Sequence, residues 1–272
     1  METFQEARRI VVKVGTSTLT YDTGLINIRR LERLVEVLSD LKNSGKEIVL
    51  VTSGAIGVGK GKLRLKERPA TTPERQAAAA VGQCELMYLY DQSFTRYNHI
   101  VGQMLLTRDV TENPILRRNA VNTFEQLFEM GVIPIVNEND SVATDELEGE
   151  NFGDNDTLSA VVATLVQADA LVLLSDIDGL YTSDPRKDPT AALIPVVETI
   201  DDYIRSIASG VGSNRGTGGM VTKIHAAQIA TAAGIDMAII NGEKPELLYD
   251  LFEGKSVGTV FKAARAVGQL EL

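Results

Sequence analysis

Seven short apolar, largely β-branched runs recur along the chain, and they constrain its fold more than any other feature. They are RIVVKV (9–14), EIVLVT (47–52), IVGQMLL (100–106), VIPIV (132–136), ALVLLS (170–175), DMAII (236–240) and GTVF (258–261). Most are continuously apolar rather than alternating. That is the pattern of strands buried on both faces of a parallel sheet, where helices cover each side.

The intervening segments have helical spacing. Between Ile28 and Leu41, apolar residues fall at 28, 31, 34, 35, 38 and 41, the stripe of a helix packed on a sheet. Pro73 suits the first turn of a helix reaching about Tyr97. Further helices are expected over Leu116–Met130, Asp156–Gln167, Gly219–Ala233 and Pro245–Phe252. Strand and helix in alternation imply right-handed crossovers and an α/β/α three-layer sandwich with a mainly parallel central sheet. No linker, repeat or break in composition divides the chain, so residues 1–272 read as a single domain.

A net charge of −10 argues against a general nucleic-acid or anionic-membrane binder, which needs a basic surface. The single cysteine, Cys84, has no internal disulfide partner and, within QAAAAVGQCELMYLY, is expected to be a buried structural thiol. The start METFQEARR has no apolar core of signal-peptide length, and no stretch reaches the roughly 20 apolar residues of a membrane span. A soluble, cytoplasmic protein is expected. His99 and His225 lack partners at metal-ligand spacing and read as structural.

Open α/β sheets bind ligands beyond the carboxyl ends of their strands. Those ends here are KVGTST (13–18), TSGAIG (52–57), NENDS (137–141) and SDIDG (175–179), each carrying small, hydroxylated or acidic residues. Gly54 to Lys60 has the spacing of a Walker A loop, but Gly61 stands where the Mg²⁺-binding Ser or Thr belongs. Gly57 and Gly61 are also expected to be too flexible to start a firm helix. The alternative use of the stretch is a small-residue turn, Ser53-Gly54-Ala55, holding a substrate carboxylate. Lys13, ending a strand, either meets an anion that Gly15 lets the backbone approach, or snorkels from an edge strand.

Gly216 to Lys223 is a glycine-rich approach to a helix. It reads either as an anion site with Lys223 adding charge, or as a flexible turn. Asp154, Asn155 and Asp156 open another helix; one such residue suffices for capping, and three suggest a further task. Asn137 to Asp140 likewise exceeds what a turn requires. The run from Ser175 to Arg186 could frame a base and ribose beside Tyr181, or be an ordinary turn.

Taken together and in order, IVVKVGTSTL, VTSGAIGVG, QAAAAVGQ, PIVNENDSVAT, FGDNDTLSA, LLSDIDGLYTSDPR and GTGGMVTKIHAA resemble the amino acid kinase family from Arg9 to Phe261. VNEND and GDND point to its glutamate-phosphorylating branch rather than to aspartokinases, carbamate kinases or uridylate kinases. The resemblance implies ATP and Mg²⁺ as cofactors and L-glutamate as acceptor, phosphorylated on its side-chain carboxylate at the entry of proline synthesis. It implies that Lys13 and Lys223 stabilise the phosphoryl group in transit, with Asp154 and Asp156 organising the lysines, the substrate ammonium or the metal. Gly15, Ser175, Asp176, Thr217, Gly218, Gly219, Met220, Val221 and Thr222 would hold ATP with the two lysines. Ser53, Gly54, Ala55, Asn137, Asp140 and Asn155 would hold the acceptor.

The resemblance also implies an acceptor-binding part over about 1–165 and a nucleotide-binding part over about 166–272. A homo-oligomer, either dimer or tetramer, and feedback inhibition by proline are further implications. The form without an extra C-terminal RNA-binding-like domain is expected, and the acidic loop DELEGENF bears on the feedback. Kinases of the same fold acting on other acceptors, or a non-catalytic amino-acid sensor, remain alternatives.

Overall fold

The computed structural model describes residues 2–21, 23–142, 154–210 and 219–263. Its strands are β1 Arg9–Val14, β2 Glu47–Thr52, β3 Val101–Leu106, β4 Ile133–Glu138, β5 Ala170–Ser175, β6 Val196–Val197, β7 Asp236–Asn241 and β8 Thr259–Phe261. They form one sheet in the order β3-β4-β2-β1-β5-β7-β8-β6, and every pairing is parallel except that of β7 with β8. The seven expected strands are all present. The two-residue β6 was not expected.

The helices are α1 Glu2–Glu6, α2 Thr16–Leu19, α3 Ile28–Asn43, α4 Ala55–Lys62, α5 Thr72–Thr95, α6 Asp109–Glu112, α7 Pro114–Glu129, α8 Asn155–Leu165, α9 Asp202–Gly210, α10 Met220–Ala232 and α11 Leu247–Phe252. Alternation along the buried strands sends Val11, Val49 and Leu171 to a core shared with α7, α8 and α10. Ile10, Val12, Ile48 and Val172 face the opposite core, beneath α3, α5 and α11. These are the three layers. No helix among the described residues is long and apolar enough to cross a membrane.

Helix starts follow local chemistry. Thr71 and Glu74 form a reciprocal capping box at α5, with Pro73 in its first turn. Asn113 caps α7 through Ile115 N and Leu116 N. The glycines of α4, by contrast, do not stop a helix, which corrects the expectation from flexibility. Their purpose is contact. A Cβ on Gly59 would lie 1.8 Å from Ala78 O, and one on Gly82 would lie 1.8 Å from Ala55 O. Helices α4 and α5 therefore touch backbone to backbone, and that packing outweighs the entropic cost of glycine.

The register aligns Val14 with Thr52 and Leu174, Leu105 with Asn137, and Ser175 with Asn241. The carboxyl ends of β1 to β5 and of β7 thus share one edge. The opposite edge is pinned structurally. Arg9 bonds Glu47, Glu125 and Val166 O at 2.7, 2.7 and 2.6 Å, and lies 4.2 Å above the Phe128 ring centre.

Candidate active site

The chain departs from β1 to β2 on one side and returns to β5 on the other, so β1 stands at the point where strand order reverses. A crevice opens there beyond the strand ends. Lys13 lies on β1, in register with Val51 and Leu173, and faces the α8 and α10 layer. Its side chain is buried, and its partner is not solvent but Asp156. The amine lies 2.5 Å from Asp156 Oδ1. Lys223, one turn into α10, donates to the other oxygen, Oδ2, at 3.0 Å. Thr222 Oγ1 donates to that oxygen too, also at 3.0 Å. Two lysines from distant strand and helix therefore converge on one carboxylate.

Asp156 is fully buried. Burial alone would push its pKa up, but the charges of Lys13 and Lys223 and their hydrogen bonds hold it down to about 2. The carboxylate is a fixed anion that holds both amines in place. Asp154 behaves in the opposite sense. It caps α8, accepting from Asp156 N at 2.7 Å and Thr157 N at 2.9 Å through Oδ1. Burial, then the Asp156 charge, raise its pKa. Its buried Oδ2 has no hydrogen-bond partner among the described residues. That exceeds what a cap needs, and an oxygen so placed fits a metal ion or a metal-bound water.

Around this centre, Gly15 begins α2, and a side chain there would start 3.6 Å from the Lys13 amine, so glycine leaves the amine uncovered. Gly219 caps α10. The Met220 side chain is buried in the core and Val221 is exposed. Thr217 and Gly218 lie outside the described residues, as do Gly153 and the acidic loop. At the end of β5, Ser175 donates to Asp176 at 3.3 Å, and Arg186 pairs with Asp176 at 3.1 Å. Asp178 accepts from Tyr181 at 3.0 Å and from Asn241 at 2.7 Å.

The polar residues of the other half form a single network. Asn155 Nδ2 donates to Thr52 O at 2.6 Å, Ser53 Oγ at 2.9 Å and Asn137 Oδ1 at 2.8 Å. Asn137 Nδ2 in turn donates to Gln83 Oε1 at 2.8 Å. Gly54 takes the left-handed conformation, φ 99°, that turns the chain from β2 into α4. Next to this network is a cavity of about 410 Å³, lined by residues that include Ala55, Gln83, Cys84, Glu138 and Asp140.

One expectation is corrected here. Cys84 is exposed and lines this cavity, because the buried stripe of α5 runs through Ala79, Gln83, Leu86 and Tyr90 and leaves residue 84 off it. Gly59 packs on α5, and Lys60 lies in the last turn of α4. Gln83 was overlooked as a site residue. Its signal was a polar side chain at a position that helical periodicity buries.

A buried lysine pair on one carboxylate thus lies at the switch point of a doubly covered, mainly parallel sheet. The sequence profile of the amino acid kinase family matches residues 8–241, and the chain belongs to that family. Among its relatives, a glutamate 5-kinase of Clostridium perfringens is 56% identical over 262 residues, 96% of this chain and 97% of the relative. A glutamate 5-kinase of Listeria innocua is 53% identical over 265 residues, 97% of this chain and 96% of the relative. Solved structures share the fold. A UMP kinase from Bacillus anthracis superposes with a TM-score of 0.63 at 18% identity, covering 95% of this chain and 97% of that one. An isopentenyl phosphate kinase gives 0.66 at 18% identity, covering 94% of this chain and all of its own.

Proposed function

We propose that this chain transfers the γ-phosphoryl group of ATP to the side-chain carboxylate of L-glutamate, giving L-glutamyl 5-phosphate for proline synthesis in the cytoplasm. The observation that carries the reading is the Lys13–Asp156–Lys223 cluster, set directly beside the Asn155–Asn137–Gln83 amide network. Identity of more than half with glutamate 5-kinases over nearly the whole chain supports the same acceptor.

A side-chain carboxylate is ionised at pH 7 and is itself the nucleophile, so no general base is required. One of its oxygens forms the new bond to the γ-phosphorus while the bond to the β–γ bridging oxygen breaks, and ADP leaves with that electron pair. The protein's work is alignment and charge neutralisation. Lys13 and Lys223 face the phosphoryl oxygens, and Asp156 keeps both amines oriented. The amides at the Gly219 end of α10, with Ser175 and Asp176, hold the nucleotide. Mg²⁺ would be carried chiefly by the ATP phosphates, with Asp154 fitted to bind it or its water; when bound it adds positive charge at the same oxygens.

Ser53, Asn137, Asp140 and Asn155 hold the acceptor, with Gly54 and Ala55 shaping the turn beneath it. Residues 1–165 then serve chiefly the acceptor and 166–272 chiefly the nucleotide. Proline, sharing the α-carboxylate and amine of glutamate, is proposed as the feedback ligand of the same region, in a homo-oligomeric enzyme. An ADP-release assay over a panel of acceptors, including aspartate, N-acetylglutamate and UMP, tests the reading. Turnover confined to glutamate is expected, and turnover of another acceptor with glutamate inert overturns it.

A further inference from the structure

We infer that Gln83 is an acceptor-specificity residue, donating a hydrogen bond to the carboxylate that is not phosphorylated. The inference rests on the reading of the cleft as a glutamate site. Its basis is the direction of the amide chain. Asn137 Oδ1 accepts from Asn155 Nδ2 at 2.8 Å and from Glu138 N at 2.9 Å, so the other end of the Asn137 amide must be the donor. It meets Gln83 Oε1 at 2.8 Å, which leaves Gln83 with its N–H₂ group at the far end of the chain. That nitrogen is buried and has no partner among the described residues, and the whole residue is only 8% exposed. A buried donor without an acceptor is costly, and natural proteins keep few of them.

Gln83 lines the cavity together with Glu138 and Asp140. Those acidic neighbours suit an ammonium group; a carboxylate in the same space needs N–H donors. The chain also sets a length. It starts at Asn155, the sequence neighbour of the carboxylate that holds both lysines, and ends two hydrogen bonds later at Gln83. An amino acid with two carboxylates, one at the lysines, has its second carboxylate at the Gln83 end.

Gln83→Glu separates this role from a structural one. It keeps an oxygen for Asn137 Nδ2 but replaces the N–H₂ group with a carboxylate oxygen. The test compares L-glutamate with L-isoglutamine, whose α-carboxylate is an amide, in wild type and variant. The KM for glutamate should rise about 100-fold in the variant, as expected for losing a hydrogen bond to a charged group. The KM for ATP should stay within about 2-fold. The preference for glutamate over isoglutamine should collapse, because the amide can donate to the new carboxylate. An unchanged preference, with glutamate turnover intact, overturns the inference and leaves the kinase reading standing. No glutamate turnover by the wild type overturns both. A crystal structure of the wild type with glutamate decides without any variant: Gln83 Nε2 beyond about 4 Å from the α-carboxylate excludes the bond.

Discussion

Lys13 and Lys223 share one carboxylate, the first amine 2.5 Å from Asp156 Oδ1 and the second 3.0 Å from Oδ2. Under the proposed reading, neither amine has to find its place when a phosphoryl group moves between them. Lys223→Ala should therefore lower kcat by about 10² or more while the protein stays folded. Steady-state kinetics alongside circular dichroism checks this, and a near-normal kcat in folded protein counts against the site.

Asp156→Asn should be harsher, because it leaves two buried ammonium groups sharing a neutral amide. Besides the loss of activity, we expect a destabilisation of about 3 kcal/mol, in the range for breaking a buried ion pair. The sign with pH is set by the depressed pKa. The stabilisation from this carboxylate is complete above the ordinary carboxylate pKa of the unfolded chain and is lost as pH falls through about 2. Urea unfolding of wild type and variant should diverge most above pH 5 and converge in strong acid.

Asp154 carries the opposite sign. Its raised pKa means that the ionised form costs stability at neutral pH, a cost that disappears below the ordinary carboxylate range. Asp154→Asn retains the oxygen that caps α8. The variant should melt about 2–4 °C higher than wild type at pH 7, with the gain shrinking towards pH 4, and its kcat should fall about 10-fold or more. A lower Tm at pH 7 would sink the argument.

The contact between Gly59 and Ala78 predicts that Gly59→Ala is costly, since the new Cβ would lie 1.8 Å from a backbone oxygen. Separating α4 from α5 should cost about 3 kcal/mol and raise the glutamate KM, because the Ser53–Ala55 turn leads α4 and Gln83 rides on α5. Lys60→Ala, on the same helix, should change kcat by less than about 3-fold. Loss of activity at Lys60 would restore the Walker A reading.

Cys84 offers a direct probe of the cavity it lines with Asp140. Alkylation of this sole cysteine, followed by mass spectrometry, should be slowed several-fold by saturating glutamate. Asp140→Ala should raise the glutamate KM, leave the affinity for ATP intact by calorimetry, and abolish that protection. Equal protection by ATP alone would place the acceptor elsewhere.

Much of this was legible in the residues. The continuous apolar runs marked the strands because a two-sided sheet leaves no polar face to interrupt them, and the strand ends pointed to Lys13, Asn137 and Ser175. Helix α9 was legible too and was missed; Ile204, Ile207 and Ala208 keep helical spacing, and Asp201 caps Ile204 N at 2.9 Å. Helix α4 was hidden for a physical reason. Glycine lowers helical propensity locally, and the packing that compensates comes from Ala78, which no local pattern reveals. Strand β6 is too short for any periodicity. Asp156 was recognisable as one acid among three polar residues, but its bond to both lysines is a tertiary fact. Gln83 carried a signal only in combination, a polar residue on a buried stripe.

Strand β1 is hydrogen-bonded to β2 on one side and β5 on the other, so the lysine it bears sits between strands from early and late parts of the chain. Severing the polypeptide near Val166 would strip the second fragment of the ribbon against which β5 lies. Neither piece would then own a complete cleft, and activity should return only when the two are mixed and reassociate, making this enzyme a natural split reporter.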